Sequence, residues 1–316
     1  MRPPARVHSL VPRHDRCDFI ALPGRIDYSW PDGRRLAFTV TTQITWFAFC
    51  AGLGPDPAKT GEPQTHRNYA WRDYGNRVGI WHLFDLLDEL GLPAGHNTSS
   101  LIYRHAPQIT DAIRRRGDEV IAHGRTDAES LRGLWPDDEF RLLRDVTDTL
   151  TRHEGTAPRG WSSPGAFQNP HTPDFLKELG YTYLLDWPMD DQPVWLRTRA
   201  GPILAMPFCA ELDDAQHVIH RKGDASTFCD MLTDQFDEMV EQCAAHPLVM
   251  NVSLHPYIFG HPFRVRGLRL ALSHCLRHPL ASRVWWCTPC QIADHCLTLP
   301  AGTVPAAQSH STLETA

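Results

Sequence analysis

His123 and His255 each stand where a short apolar run gives way to a turn, the first as His123-Gly124 and the second as His255-Pro256. Imidazole titrates near neutral pH, so a histidine beside a carboxylate can transfer protons or ligate a divalent metal ion. Other polar residues fall at comparable places: Gln43, Asn97, Asp127 and Glu129 beyond His123, Arg159 to Ser163, Asp186 to Asp191, and Glu211 to Asp214. Together with His255 these come from seven separate turns of the chain. In a parallel α/β fold the carboxyl ends of the strands share one rim, so a single site can draw on all of them. The chain has 18 histidines, but His8, His14, His66, His217, His220, His274 and His278 share no spacing and read as solvated.

The elements needed to position that rim can be read from periodicity. Leu36 to Val40 is a β-prone run after the Pro31-Asp32-Gly33 turn, and reads as a first buried strand. Residues 50–70 are dense in Gly, Pro and polar residues, and with 41–49 and 205–225 are expected to line or cover the pocket. The spacing predicts helices over 78–90, 107–116, 137–154, 172–179, 228–246, 268–276 and 288–297. Between them, strands are expected over 119–122, 181–185, 248–254 and 283–286. Such alternation without a linker argues for one α/β domain over 31–299, with a parallel sheet in barrel form. Residues 1–30 read as an extended arm, lying on the surface or on a partner subunit, and 300–316 as a flexible tail.

Composition narrows the function classes. The 316 residues are 42% hydrophobic and 22% charged, as in ordinary globular chains, and the net charge of −6 leaves no field to hold nucleic acid or an anionic membrane. No run approaches a membrane helix, and the arginine-rich start has no apolar core of a signal peptide, so a soluble cytoplasmic protein is expected. Nine scattered cysteines fit reduced thiols. Cys287-x-x-Cys290, with His295 and Cys296 beyond, lacks the second ligand pair of a zinc site and reads as buried thiols. The 26 prolines indicate many loops of fixed shape.

Several strings now combine. Asp73-Tyr74-Gly75-Asn76-Arg77-Val78-Gly79, His123-Gly124, Gly160-Trp161 with Ser163-Pro164, Asp186-Trp187-Pro188-Met189-Asp190-Asp191-Gln192-Pro193, Glu211-Leu212-Asp213-Asp214, and Leu254-His255-Pro256 with Gly260 occur in this order. Over about residues 25–295 the chain resembles the polysaccharide deacetylase (NodB-homology) superfamily, and more narrowly its allantoinase-like and cyclic-imide-hydrolase-like branch. The resemblance implies a distorted, incomplete (β/α) barrel, hydrolysis of a small cyclic amide, imide or ureide, and a homo-oligomer. Metal-dependent members place an aspartate after the first strand and two histidines four residues apart after the third. Here those places hold Gln43 and, after His123, Asp127. A divalent metal such as zinc, if held, would fall to His123 and Asp127, a thin ligand set.

Amide hydrolysis requires a nucleophilic water, a base, an acid for the leaving nitrogen, and a donor for the oxyanion. His255 is the first candidate for acid or base and His123 the second. Glu129 and Glu211 could orient an imidazole or accept from substrate N–H groups. Gln43, Asn97 and Arg159 could contact a carbonyl or oxyanion, and Trp161 could wall a planar ring. Asp191 joins them as a substrate contact, although an aspartate in such a turn commonly caps it or pairs with arginine. Two other functions stay open: a metal-dependent N-deacetylase of a sugar or small metabolite, and a ligand-binding relative with weakened catalysis.

Overall fold

The apolar run that opens at Leu36 forms a strand, but it continues through the β-branched Thr41 and Thr42, which pair on both sides, to Gln43 and Ile44, which pair with Asn97 and Thr98 on one side. The structure, a computed structural model, describes residues 14–49 and 65–306. Residues 50–64 of the expected loop, the first part of the arm and the end of the tail lie outside the described residues. Strands β1 (Leu36–Ile44), β2 (Ala94–Thr98), β3 (Glu119–Ala122), β4 (Gly160–Trp161), β5 (Tyr183–Leu184), β6 (Val194–Leu196), β7 (Ile203–Ala205), β8 (Leu248–Leu254) and β9 (Val284–Trp286) build one sheet. Its order is β6-β7-β5-β4-β3-β2-β1-β8. β9 pairs with Leu36 to Phe38, the part of β1 below its contact with β2. Every ladder is parallel except the β6–β7 hairpin.

The helices are α1 (His66–Tyr74), α2 (Ile80–Leu90), α3 (Ile102–His105), α4 (Pro107–Arg116), α5 (Pro136–Glu154), α6 (Thr172–Glu178), α7 (Ala225–Gln242), α8 (Pro256–Phe259), α9 (Pro262–Arg277) and α10 (Pro289–Thr298). A π-helical turn, Gly75–Gly79, joins α1 to α2. Local chemistry accounts for several ends. Gly91 stops α2 in the left-handed region, and Thr288 with Gln291 forms a reciprocal capping box on α10. Thr172 opens α6, and its hydroxyl is drawn to buried Glu139 on α5. Among the described residues, no helix is long and apolar enough to cross a membrane.

Alternation along β1 divides the core. Phe38 and Val40 face Phe228, Phe236, Leu268 and Leu272 of α7 and α9. Ala37 faces Ile121, Tyr183, Leu204 and Val249 inside the barrel, which Ile292 and Ala293 of α10 close from below. Above this apolar plug, β8 adds Asn251 and Ser253, whose partners are Thr39 of β1, and Gln43 of β1 with Asp213. The sheet therefore holds an apolar floor and a polar upper layer.

The barrel is distorted and incomplete. β8 and the β6–β7 hairpin share no ladder, and the segment Asp186 to Pro193 straps the gap. Val249 N–H donates to the Asp191 carbonyl (2.8 Å), and Gln192 Nε2 to the Pro247 carbonyl (2.8 Å). Arg25 from the arm ties the strap down through Asp190 (2.5 Å) and Gln192 Oε1 (3.1 Å). Residues 14–30 thus lie on the chain's own barrel, with Arg16 paired to Asp174 (2.6 Å) and Trp30 buried, its Nε1 donating to the Leu248 carbonyl. The first residues of the expected tail also pack: Thr303 and Val304 are buried, and Trp195 N–H donates to the Pro305 carbonyl.

Candidate active site

β8 delivers His255 to the carboxyl rim, where Pro256 begins α8. Asp214 reaches it from 41 residues upstream. The carboxylate accepts from the His255 backbone N–H (2.9 and 3.0 Å) and from ring Nδ1 (2.6 Å), so backbone and ring are held by one group. Nδ1 carries its proton toward Asp214, which leaves Nε2 as the working nitrogen. Burial lowers the affinity of His255 for a proton, but Asp214, Asp213 and Asp127 outweigh it and raise the pKa to about 9. Burial pushes Asp214 up to about 6, against the pull of His255. Between these values the pair is aspartate and imidazolium.

The second imidazole comes from the end of β3. His123 Nδ1 lies 2.8 Å from the Ser162 carbonyl, and Nε2 lies 3.0 Å from Asp127 Oδ1. Asp127 is held well below the ordinary carboxylate range: burial would raise it, but His123 and His255 together outweigh that cost. The Ser162 turn is set in turn by Asp186, which accepts from Ser163 N–H and Oγ–H (2.7 Å each) and from Gln168 (2.5 Å). Asn76 Nδ2 donates to the Thr45 carbonyl (2.9 Å), and Thr45 Oγ1 accepts from Asp127 N–H (3.2 Å), so the Tyr74-to-Gly79 string braces Asp127 through the end of β1.

His123, Asp127, His255 and Gln43 line one cavity of 310 Å³, with Arg72 and Tyr257 at its wall. Arg72 is buried, its guanidinium over the rings of Phe47, Trp71 and Tyr257 at 5.0 to 5.5 Å. Gln43 Nε2 donates to Ser253 Oγ (3.1 Å), whose hydroxyl donates to Asp213 Oδ2 (2.8 Å). The other oxygen of Asp213 accepts from Gln216 N–H (3.0 Å).

These donors do not fit a tightly held zinc ion. One imidazole and one carboxylate, beside a neutral amide, fall short of the three protein ligands of a catalytic zinc. The other acid cluster, Asp213, Asp214 and His255, has its ligand atoms within 4.8 Å of one another, but the carboxylates already take up His255, Ser253 and Gln216. The thiols offer no alternative. Burial pushes Cys290 and Cys296 up to about 12 and Cys287 well above the ordinary thiol value, which disfavours the thiolates a metal or redox role needs.

The remaining residues of the expected site lie elsewhere. Glu129 faces outward and pairs with Arg125, four residues before it in the turn that follows β3. Arg159 precedes β4 and so sits at the opposite end of the barrel, where it pairs with Asp294 of α10 (2.6 Å). Trp161 lies inside β4 and is fully buried among Leu143, Val146 and Tyr181, in the core beneath α5. Glu211 is exposed and paired with Arg221. Asn97 belongs to β2 and is buried in the barrel wall beside Gln43. The Asp191 side chain is exposed on the strap, outside the cavity lining. In the other direction, Arg72 belongs to the site without any signal in the sequence, and Asp214, one of the rim residues Glu211 to Asp214, belongs to it as the partner of His255. Asp214 lay within a quoted string, which was the available signal.

No family model matches the chain. A curated relative from Schizosaccharomyces pombe, named a putative polysaccharide deacetylase, is 26% identical over 267 residues, covering 77% of this chain and 80% of the relative. Among solved structures, the Puue allantoinase superposes with a TM-score of 0.74 at 22% identity, over 84% of this chain and 91% of that one. A putative polysaccharide deacetylase from Mycobacterium smegmatis gives 0.73 at 24%, over 91% and 98%. A probable polysaccharide deacetylase from Pseudomonas aeruginosa PAO1 gives 0.73 at 23%, over 84% and 92%. By its curated relative and by its fold, the chain resembles the polysaccharide deacetylase (NodB-homology) superfamily, with an allantoinase among its structural neighbours.

Proposed function

We propose that this chain is a hydrolase of a carbon–nitrogen bond in a small cyclic amide, imide or ureide, using imidazole–carboxylate pairs and no tightly held metal. The observation that carries this reading is the convergence of two such pairs, His255 with Asp214 and His123 with Asp127, on one 310 Å³ cavity. That volume suits a small ring at the low end of ligand pockets rather than a polymer chain. The names of the similar proteins, deacetylase and allantoinase, support the same bond class.

In the proposed reaction a water oxygen bonds to the ring carbonyl carbon and gives its proton to the Asp127–His123 pair. Arg72 faces the developing oxyanion. The C–N bond then breaks as His255 Nε2 gives its proton to the departing nitrogen, which stays attached to the opened product. Asp214 holds the imidazolium in place until that transfer.

A bell-shaped pH profile of kcat/KM is the expected result. The acid limb sets in near pH 6, as Asp214 is protonated and releases its grip on His255, and the alkaline limb near pH 9, as His255 loses the proton it must donate. Stability follows the same alkaline sign: a histidine raised on folding contributes fully below its unfolded value of ~6.5 and loses that contribution as pH rises through the folded value. Asp214, a raised carboxyl, costs stability as pH rises from its unfolded value to about 6.

The reaction itself is tested by incubating the purified full-length protein with hydantoins, allantoin, succinimide and N-acetylated sugars. Ring opening without acetate release is expected. Acetate release with intact rings would replace this reading with a deacetylase.

A further inference from the structure

Gln43 stands where the resemblance implies an acidic residue, and its hydrogen bonds fix which way its amide points. Both oxygens of Asp213 are acceptors, and Oδ2 takes the single hydroxyl proton of Ser253 (2.8 Å). Ser253 can then only accept, so the group 3.1 Å away must be the amide nitrogen of Gln43. The amide cannot turn over without setting its oxygen against the Ser253 oxygen. Gln43 is only 7% exposed and lines the cavity, and its Oε1 is buried without any protein partner. Asn97, beside it in register on β2, does not reach that oxygen. A buried acceptor without a donor is costly, and a ligand N–H offsets the cost.

We propose that Gln43 Oε1 accepts a hydrogen bond from an N–H of the substrate, so that the site selects rings carrying a free N–H next to the scissile carbonyl over their N-substituted counterparts. This rests on the hydrolase reading and deepens it by assigning Gln43 the opposite polarity to the one its sequence position suggests: an acceptor for N–H, not a donor to a carbonyl or a metal ligand. The Asp213–Ser253 relay acts as the positioning device, since Ser253→Ala would free the amide to turn.

The test is calorimetric titration of the full-length protein with succinimide and N-methylsuccinimide, which needs no turnover. Wild-type protein is expected to bind the N–H compound about 10- to 100-fold more tightly, the equivalent of one buried acceptor left unsatisfied. In Gln43→Leu, similar in size but without an acceptor, that ratio should fall to near one through loss of N–H affinity, with Ser253→Ala between the two. Unchanged circular dichroism shows that each variant folds. An equal ratio in wild type and Gln43→Leu would mean that bulk alone excludes the methyl group, and would overturn the proposal, as would equal or undetectable binding of both compounds to wild type. Selective binding with no ring opening would instead refute the hydrolase reading and leave the Gln43 contact standing.

Discussion

His255→Ala is expected to lower kcat/KM for ring opening by about 10³- to 10⁴-fold, with KM little changed, because in the proposed reaction it deletes the acid that delivers a proton to the leaving nitrogen. Asp214→Asn falls in the same direction by a different route. An asparagine in that place presents one acceptor to the two N–H groups of His255 that now share a carboxylate, and it removes the negative charge facing the ring. The imidazole proton is then held less firmly, so the alkaline limb of the pH profile moves down from about 9 in this variant, a change that simple unfolding would not produce. Glu129→Gln provides the contrast. Its side chain pairs with Arg125 on the surface and should leave kcat/KM unchanged, as measured by steady-state kinetics on the three variants in parallel.

Gly79→Ala is the second large effect, although residue 79 touches no substrate. The turn Gly75–Gly79 meets α8 backbone to backbone: a Cβ on Gly79 would lie 2.0 Å from the Pro256 carbonyl oxygen and 2.8 Å from its carbon, and one on Gly260 would lie 2.3 Å from the Gly79 Cα. Main chain cannot swing aside as a long side chain can. An added methyl must push α8 outward, and α8 begins at the residue after His255. Overpacking of this kind costs about 1–3 kcal/mol. Misplacing a reacting group by about 1 Å costs about 10²-fold in rate. Denaturant unfolding and kcat/KM should therefore both fall for Gly79→Ala, whereas Val78→Ala, at a half-exposed neighbour, should change stability by no more than about 0.5 kcal/mol.

This contact gives the Tyr74-to-Gly79 and His255-to-Gly260 strings one physical reason: each needs a glycine where the other's backbone arrives. The strap from Asp186 to Pro193 is similar, since its polar residues hold the open side of the barrel rather than substrate. Strands and helices with clear periods, such as β3, β8 and α4, appear over the residues their patterns predict. The errors have physical sources. Arg159 precedes and Trp161 ends a two-residue strand, and a shift of one or two positions moves a residue from the rim to the core or to the opposite end. Gln43 and Asn97 lie within strands that continue one residue past them, because Gln43 pairs with Asn97 and Asn97 pairs in addition with Ile121 of β3, whatever their side-chain propensity. Asp214 stands among the rim residues in the sequence, but its pairing with His255 is not legible there, because the partner lies 41 residues away and no local pattern encodes that distance. Glu129 and Glu211 show the converse, because a charged residue near a strand end turns outward whenever an arginine within reach offers a solvated partner.

The central claim is that paired imidazoles and carboxylates, without a held ion, carry the hydrolysis. It is tested most directly by measuring ring-opening turnover of the full-length protein before and after exhaustive chelation, and again with zinc restored. The same kcat/KM is expected in all three states. Activity lost on chelation and recovered with zinc would contradict it, and would show that His123 and Asp127 recruit an ion despite the neutral amide at Gln43.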